Sequence, residues 1–235
     1  MNTDSHVSGL VHRTGVYSSF FLAFITLVTF GFAVTAIPIA GPFCPGDCIE
    51  YPFLDQLDQY PKDYIWMYLA CLMLITYLVF MATIHHTASS GTRLFSRIGF
   101  SLALISTAVL LVDYFIQFSV VPMSLMQGET EGIPILTQYN GHGIFIALEE
   151  VGYLAMSLSF LFMAPAFNEK GSLGSIVKWI FIAAFVLTVV ALLFYLIQYG
   201  MEREYRFEVA VITIDWLVLA VNGILVGLVY RKHLK

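Results

Sequence analysis

Six apolar stretches, each about 20 residues or longer, limit this chain to one kind of fold. An α-helix needs about 20 residues at about 1.5 Å each to cross a hydrocarbon core of about 30 Å. The stretches lie near 17–40, 64–84, 98–119, 143–165, 176–199 and 208–230 of the 235 residues. In lipid every backbone N–H and C=O must be satisfied within the protein, so spans of this kind are helical. The expected fold is all-α, a polytopic membrane protein built as a six-transmembrane-helix bundle. Composition agrees, with 59% of residues hydrophobic and only 11% charged, against roughly a quarter charged in a soluble domain.

Short connections leave no room for a separate soluble domain, and no low-complexity run or phosphate loop interrupts them. Residues 1–235 therefore read as a single integral membrane domain. The first span follows Arg13 and ends among the small residues Ala33 to Ala36, the outline of a secretory signal. Its apolar run exceeds a signal h-region, so a true span is expected.

Basic residues orient the bundle. The N-terminus, the loops 85–97 and 166–178 and the C-terminal "RKHLK" hold eight of the eleven Lys and Arg; the alternate segments hold Lys62, Arg203 and Arg206. The positive-inside rule then puts both termini in the cytoplasm of a plasma membrane or a bacterial or archaeal cytoplasmic membrane. Ten of the sixteen acids fall on the outer side, which concentrates the net charge of -5 there. That balance argues against a nucleic-acid partner. The expected partners are membrane lipids and a small-molecule or cation ligand.

On the outer side, "FCPGDC" sets Cys44 and Cys48 four residues apart around a Pro-Gly turn. Oxidising conditions there favour a disulfide over two free thiols. Cys71, inside the second span, reads as a small buried hydrophobe.

The charges that remain inside the spans carry the functional signal. "HGIFIALEEVGYLAMSLSFLF", residues 142–162, holds Glu149 and Glu150 side by side in an otherwise apolar helix. A charged side chain at a membrane helix centre costs about 3 kcal/mol on insertion scales, which makes an intramembrane acid a functional candidate. Ile144, Leu148, Val151, Ala155, Leu158 and Phe162 form one apolar stripe suited to lipid, leaving both glutamates on the opposite side. His142, seven residues before Glu149, and Tyr153, four after it, extend one inward line. Asp113 and Gln117 share a face of the third span, as do Asp215 and Asn222 on the sixth. Counted from the outer ends of the expected spans, Asp113, Glu149, Glu150 and Asp215 all lie roughly 9 to 12 Å deep. The expectation is one outward-facing polar pocket built from Asp113, Gln117, His142, Glu149, Glu150, Tyr153, Asp215 and Asn222. Its acids cannot all be ionised at close range, so a shared proton or a bound cation is expected. Arg203 or Arg206 could reach inward by snorkelling, and Tyr114, Tyr195 and Trp216 read as interfacial or packing aromatics.

No cofactor is expected. His142, Glu149, Asp113 and Asp215 form a weak set for a divalent metal, because no H-E-x-x-H or comparable ligand spacing accompanies them. His85 and His86, in "IHHTASSGTR", read as solvated interface residues. The connection "SVVPMSLMQGETEGIPILTQYNG", residues 119–141, is too apolar for a simple linker and reads as an interfacial loop or a lid. "VDYFI" and "IDWLV", on the third and sixth spans, match in pattern, a slender hint of an inverted repeat. Three functions fit these residues. The first is binding or carrying a proton, cation or small amphipathic ligand; the second is an intramembrane enzyme using carboxylate acid/base or metal-assisted chemistry on a lipid or isoprenoid. The third is a non-catalytic membrane subunit that docks a partner protein.

Overall fold

The structure, a computed structural model, describes residues 3–35 and 39–232, with side chains from Gly9 onward. The end of the first expected span, at 36–38, and the last three residues of the basic C-terminus lie outside the described residues. Eight α-helices follow one another: α1 Thr3–Thr35, α2 Ile65–His86, α3 Arg93–Ser119, α4 Val121–Met126, α5 Ile133–Leu136, α6 Ile144–Met163, α7 Gly171–Tyr199 and α8 Tyr205–Lys232. The described residues contain no strand. Six of the helices (α1, α2, α3, α6, α7 and α8) are long and apolar enough to cross a membrane.

Several helices outrun the apolar stretches that announce them. α3 begins at Arg93 rather than near 98, and α7 at Gly171 rather than near 176. Apolar length measures the lipid thickness, whereas backbone hydrogen bonding continues into the polar boundary, where Arg93, Arg97 and Lys178 extend their charged ends. At the other end of α6, the α-helix stops at Met163 and a 3₁₀ turn carries the chain through Pro165. Ala164 still has α-helical dihedrals, but Pro165 has no N–H to continue the i→i−4 ladder.

These six helices close a ring: α1 packs on α2, α2 on α3, α3 on α6, α6 on α7, α7 on α8, and α8 back on α1. α6 also touches α2 and α8 across the ring, so it lies nearest the middle. On its expected lipid stripe, none of Ile144, Leu148, Val151, Ala155, Leu158 and Phe162 is buried. Without a hydrophobic drive between helices in lipid, close approach depends on small residues. At the α1–α8 seam a Cβ added to Gly223 would stand 2.8 Å from the Ser19 carbonyl oxygen.

The two ends of the bundle differ. At one end the first and last helices meet, where the rings of His12 and Tyr230 lie 5.8 Å apart and Thr87 shares a 2.9 Å hydrogen bond with the Tyr230 hydroxyl. The other end carries the long connections 39–64 and 120–143. There Cys44 and Cys48 are disulfide-bonded, with Cα atoms 6.0 Å apart.

Candidate ligand cavity

The two long connections are joined to each other rather than loose. The buried Gln56 accepts a 2.6 Å hydrogen bond from the Thr137 hydroxyl, and its own amide donates to the Phe53 carbonyl at 2.7 Å. The Tyr139 hydroxyl donates to Asp63 at 3.1 Å, and the Gln138 amide to the Gln117 side chain at 3.1 Å. Burial pushes the pKa of the Tyr139 phenol up, so it stays a donor to that carboxylate. Tyr205, at the start of α8, donates to the Gln138 carbonyl at 3.1 Å. The segment 119–141 thus folds over the bundle as a fixed roof, with its apolar Val121, Pro122 and Ile133 turned inward and buried.

Under this roof lies a cavity of about 530 Å³. α1 lines it with Phe30, Ala33 and Val34, α2 with Trp66, α6 with Phe145, Ile146 and Glu149, and α8 with Glu208, Val209, Ile212, Thr213 and Trp216. The connections add Ile39, Ala40, Phe43, Asp63, Gln138, Tyr139 and, at the start of α8, Tyr205. Val34, Phe43 and Val209, which line the cavity, remain exposed at 63%, 47% and 45%, so the cavity is open at an apolar edge.

Glu149 is the centre of the polar side. It is 1% exposed and accepts a 2.7 Å hydrogen bond from the Tyr114 hydroxyl of α3. Tyr114 is bonded in turn to the Tyr153 hydroxyl at 2.8 Å, and the Trp216 indole donates to Tyr153 at 3.0 Å. The matching fragments "VDYFI" and "IDWLV" therefore meet through their aromatic residues at one hydroxyl of α6. The carboxyl of Glu208 is within hydrogen-bond reach of Glu149. Such a network, fully buried, is worth more than isolated surface bonds, because each unmade bond would cost desolvation.

Glu149 and Glu150 do not share one wall. Neighbours on a helix point about 100° apart, and Glu150 turns to Arg203, which forks onto both of its oxygens. This is the snorkelling arginine expected from the sequence; Arg206 instead lies over the Tyr199 ring at 4.4 Å. Asp113 is buried close enough to Glu149 to interact electrostatically, but it stands outside the cavity lining and its Oδ2 has no hydrogen-bond partner among the described residues. Gln117 is buried beside it and is committed to the roof through Gln138.

Asp215 corrects the expected shared layer. Its Oδ1 accepts a 2.6 Å bond from Ser157, which also bonds Thr188 at 2.8 Å, and it does not line the cavity. Ser157 is eight residues beyond Glu149, about 12 Å along α6. The acid that stands beside Glu149 is Glu208, seven residues earlier than Asp215 on the same face of α8. Counting depth from the apolar end misplaced α8, because the helix begins at Tyr205 and holds Glu208 in its first turn. The heptad spacing Glu208, Asp215, Asn222 carried the signal, but Glu208 sat on the expected boundary. Asn222 is fully buried further along, where its amide reaches the Val177 carbonyl at 3.5 Å.

His142 is a second correction. It is exposed and precedes Gly143, the residue that caps α6, so the helical stacking with Glu149 does not reach it. Its backbone amide donates to the Asn140 side chain at 3.1 Å. The weak metal set of His142, Glu149, Asp113 and Asp215 is accordingly dispersed, and among the described residues no three His, Cys, Asp or Glu are grouped to hold a metal. Sequence reasoning missed Glu208, Asp63 and Ser157, and read Tyr114 and Trp216 as packing.

Comparison with known proteins returns no match to this chain: no protein family, no curated protein and no solved structure.

Proposed function

We propose that this chain is a membrane binding protein or carrier whose roofed cavity takes a small amphipathic ligand. One observation carries the reading. A cavity of about 530 Å³ has a wall of aromatic and aliphatic side chains and buried carboxyl groups at one side. Ligand sites are concave and mostly apolar, with a few convergent polar groups that fix orientation. The apolar mouth at Val34 and Val209 suits a molecule that arrives from the hydrocarbon phase. Further support comes from the roof, whose hydrogen bonds hold the polar side away from bulk water.

The roofed end faces outward in this reading, with both termini in the cytoplasm. The eight-to-three division of Lys and Arg supports it, as does the disulfide at the roofed end. The test is chemical. Protein extracted in mild detergent is denatured, and the released small molecules are quantified by mass spectrometry. An amphipathic species near one equivalent is expected from the native chain and is expected to fall from Ala33→Trp combined with Thr213→Trp, which put two indoles into the cavity. Equal recovery from both would defeat the proposal.

A second reading, an intramembrane enzyme acting on a lipid or isoprenoid, is favoured by the contact of Glu149 with both Glu208 and Tyr114. Two carboxyl groups in different surroundings can divide acid and base roles. Conversion of a lipid extract by purified protein, lost in Glu149→Gln, would favour it over simple binding.

A further inference from the structure

We infer that the ligand of this cavity is a cationic amphiphile, a protonated or quaternary amine with an apolar tail, seated against Glu149 and Glu208. The inference rests on the reading of the cavity as a ligand site and names the chemical class that fits it.

Charge inventory comes first. Among the described residues, three acids line the cavity, Asp63, Glu149 and Glu208, and no Lys, Arg or His does. Asp63 has the Tyr139 hydroxyl. The two nearby guanidinium groups are engaged elsewhere, Arg203 on Glu150 and Arg206 on the Tyr199 ring and the Glu202 carbonyl. Two carboxyl groups within hydrogen-bond reach need a proton between them or a cation beside them. Tyr114 satisfies one oxygen of Glu149; for Glu208, 8% exposed, Glu149 is the neighbouring carboxyl.

The walls then select among cations. A hard inorganic ion of the calcium type takes six or more oxygen ligands, and the sides of this cavity are rings and aliphatic carbon instead. Phe30 lies 6.0 Å from Trp216, Trp216 lies 6.3 Å from Trp66, and Trp66 lies 5.3 Å from Tyr114, the residue bonded to Glu149. Aromatic faces attract organic cations through the ring quadrupole, and the attraction grows when water is excluded. An anionic or strongly polar head would meet the carboxyl groups without a compensating base. The tail has the apolar opening at Val34 and Val209, both exposed.

The test compares two probes of one shape on protein in lipid nanodiscs, with empty nanodiscs subtracted. One is phenylbutyltrimethylammonium, and the other is the hydrocarbon in which a tert-butyl group replaces the ammonium. Isothermal titration is expected to show the ammonium binding about tenfold tighter or more, the size of a desolvated cation–π and charge contribution. Glu149→Gln combined with Glu208→Gln is expected to abolish that ratio while the hydrocarbon still binds. Where the combined variant does not fold, Glu208→Gln alone is expected to reduce the ratio. Equal binding of both probes would overturn the cationic ligand and leave the amphiphile site standing. Binding of neither would overturn both. A preference for ammonium that survives both Gln variants would move the cation site away from these carboxyl groups and so reject the inference.

Discussion

At the residue scale, the centre of this molecule is a hydroxyl shared among three helices. Tyr153 of α6 meets Tyr114 of α3 and Trp216 of α8, and Tyr114 holds Glu149 in place. Replacement of Tyr114 by Phe removes one oxygen and leaves a buried carboxyl without its donor. A loss of about 1–3 kcal/mol is expected, read from denaturant unfolding in mixed micelles. Tyr195→Phe, whose half-buried ring packs against Phe194 and Tyr199, is expected to change little. The pair Glu150 and Arg203 is less enclosed, with 30% of the arginine side chain exposed. A double-mutant cycle with Glu150→Gln and Arg203→Gln is expected to give a coupling of about 1 kcal/mol, reduced by that exposure. These positions were partly legible in the sequence. Acids in apolar helices announce themselves, whereas Tyr114 looks like any interfacial aromatic until its partners are known.

At the element scale, the bundle is held by helix faces that tolerate no added atom. α1 and α8 approach so closely at Gly223 that a Cβ would meet the Ser19 carbonyl oxygen at 2.8 Å and the Ala23 amide nitrogen at 3.0 Å. Backbone cannot swing aside as a flexible side chain can, so Gly223→Val must part the helices. The expected result is a lower thermal unfolding temperature, with a cost in the range of about 1–3 kcal/mol for overpacking. Gly31, also in α1, has nothing within 4 Å of an added Cβ, and Gly31→Ala is expected to leave stability unchanged or slightly improved. Heptad spacing of small and polar residues on α8 hints at a contact face, but which helix covers that face is not a property of α8 alone.

For the whole molecule, one end is roofed and rich in acids and the other gathers the termini. Cysteines introduced at positions 91 and 171 are expected to react with impermeant reagents only from the cytoplasm, and one at 129 only from outside. The reverse labelling pattern would invert the direction from which the cavity is reached. It would leave the contacts between helices untouched, because those do not depend on the side of the membrane.

Four features were legible in the chain alone: six helices long and apolar enough to cross a membrane, the unburied apolar stripe of α6, the Cys44–Cys48 bond and the helices that bury acids. Each of these rests on local spacing, either the length of an apolar run or the 100° step of a helix. Only the tertiary structure decided which acids meet. Glu149 and Glu150 part although they adjoin, and Glu208 replaces Asp215 beside Glu149. A pocket depends on where each helix begins and how it turns toward its neighbours. An error of one helical turn shifts a residue by about 5 Å, enough to exchange one polar layer for the next. Such offsets are set by the packing of distant segments, here α1 on α8 and the roof on α3 and α6, and no single stretch of the chain encodes them.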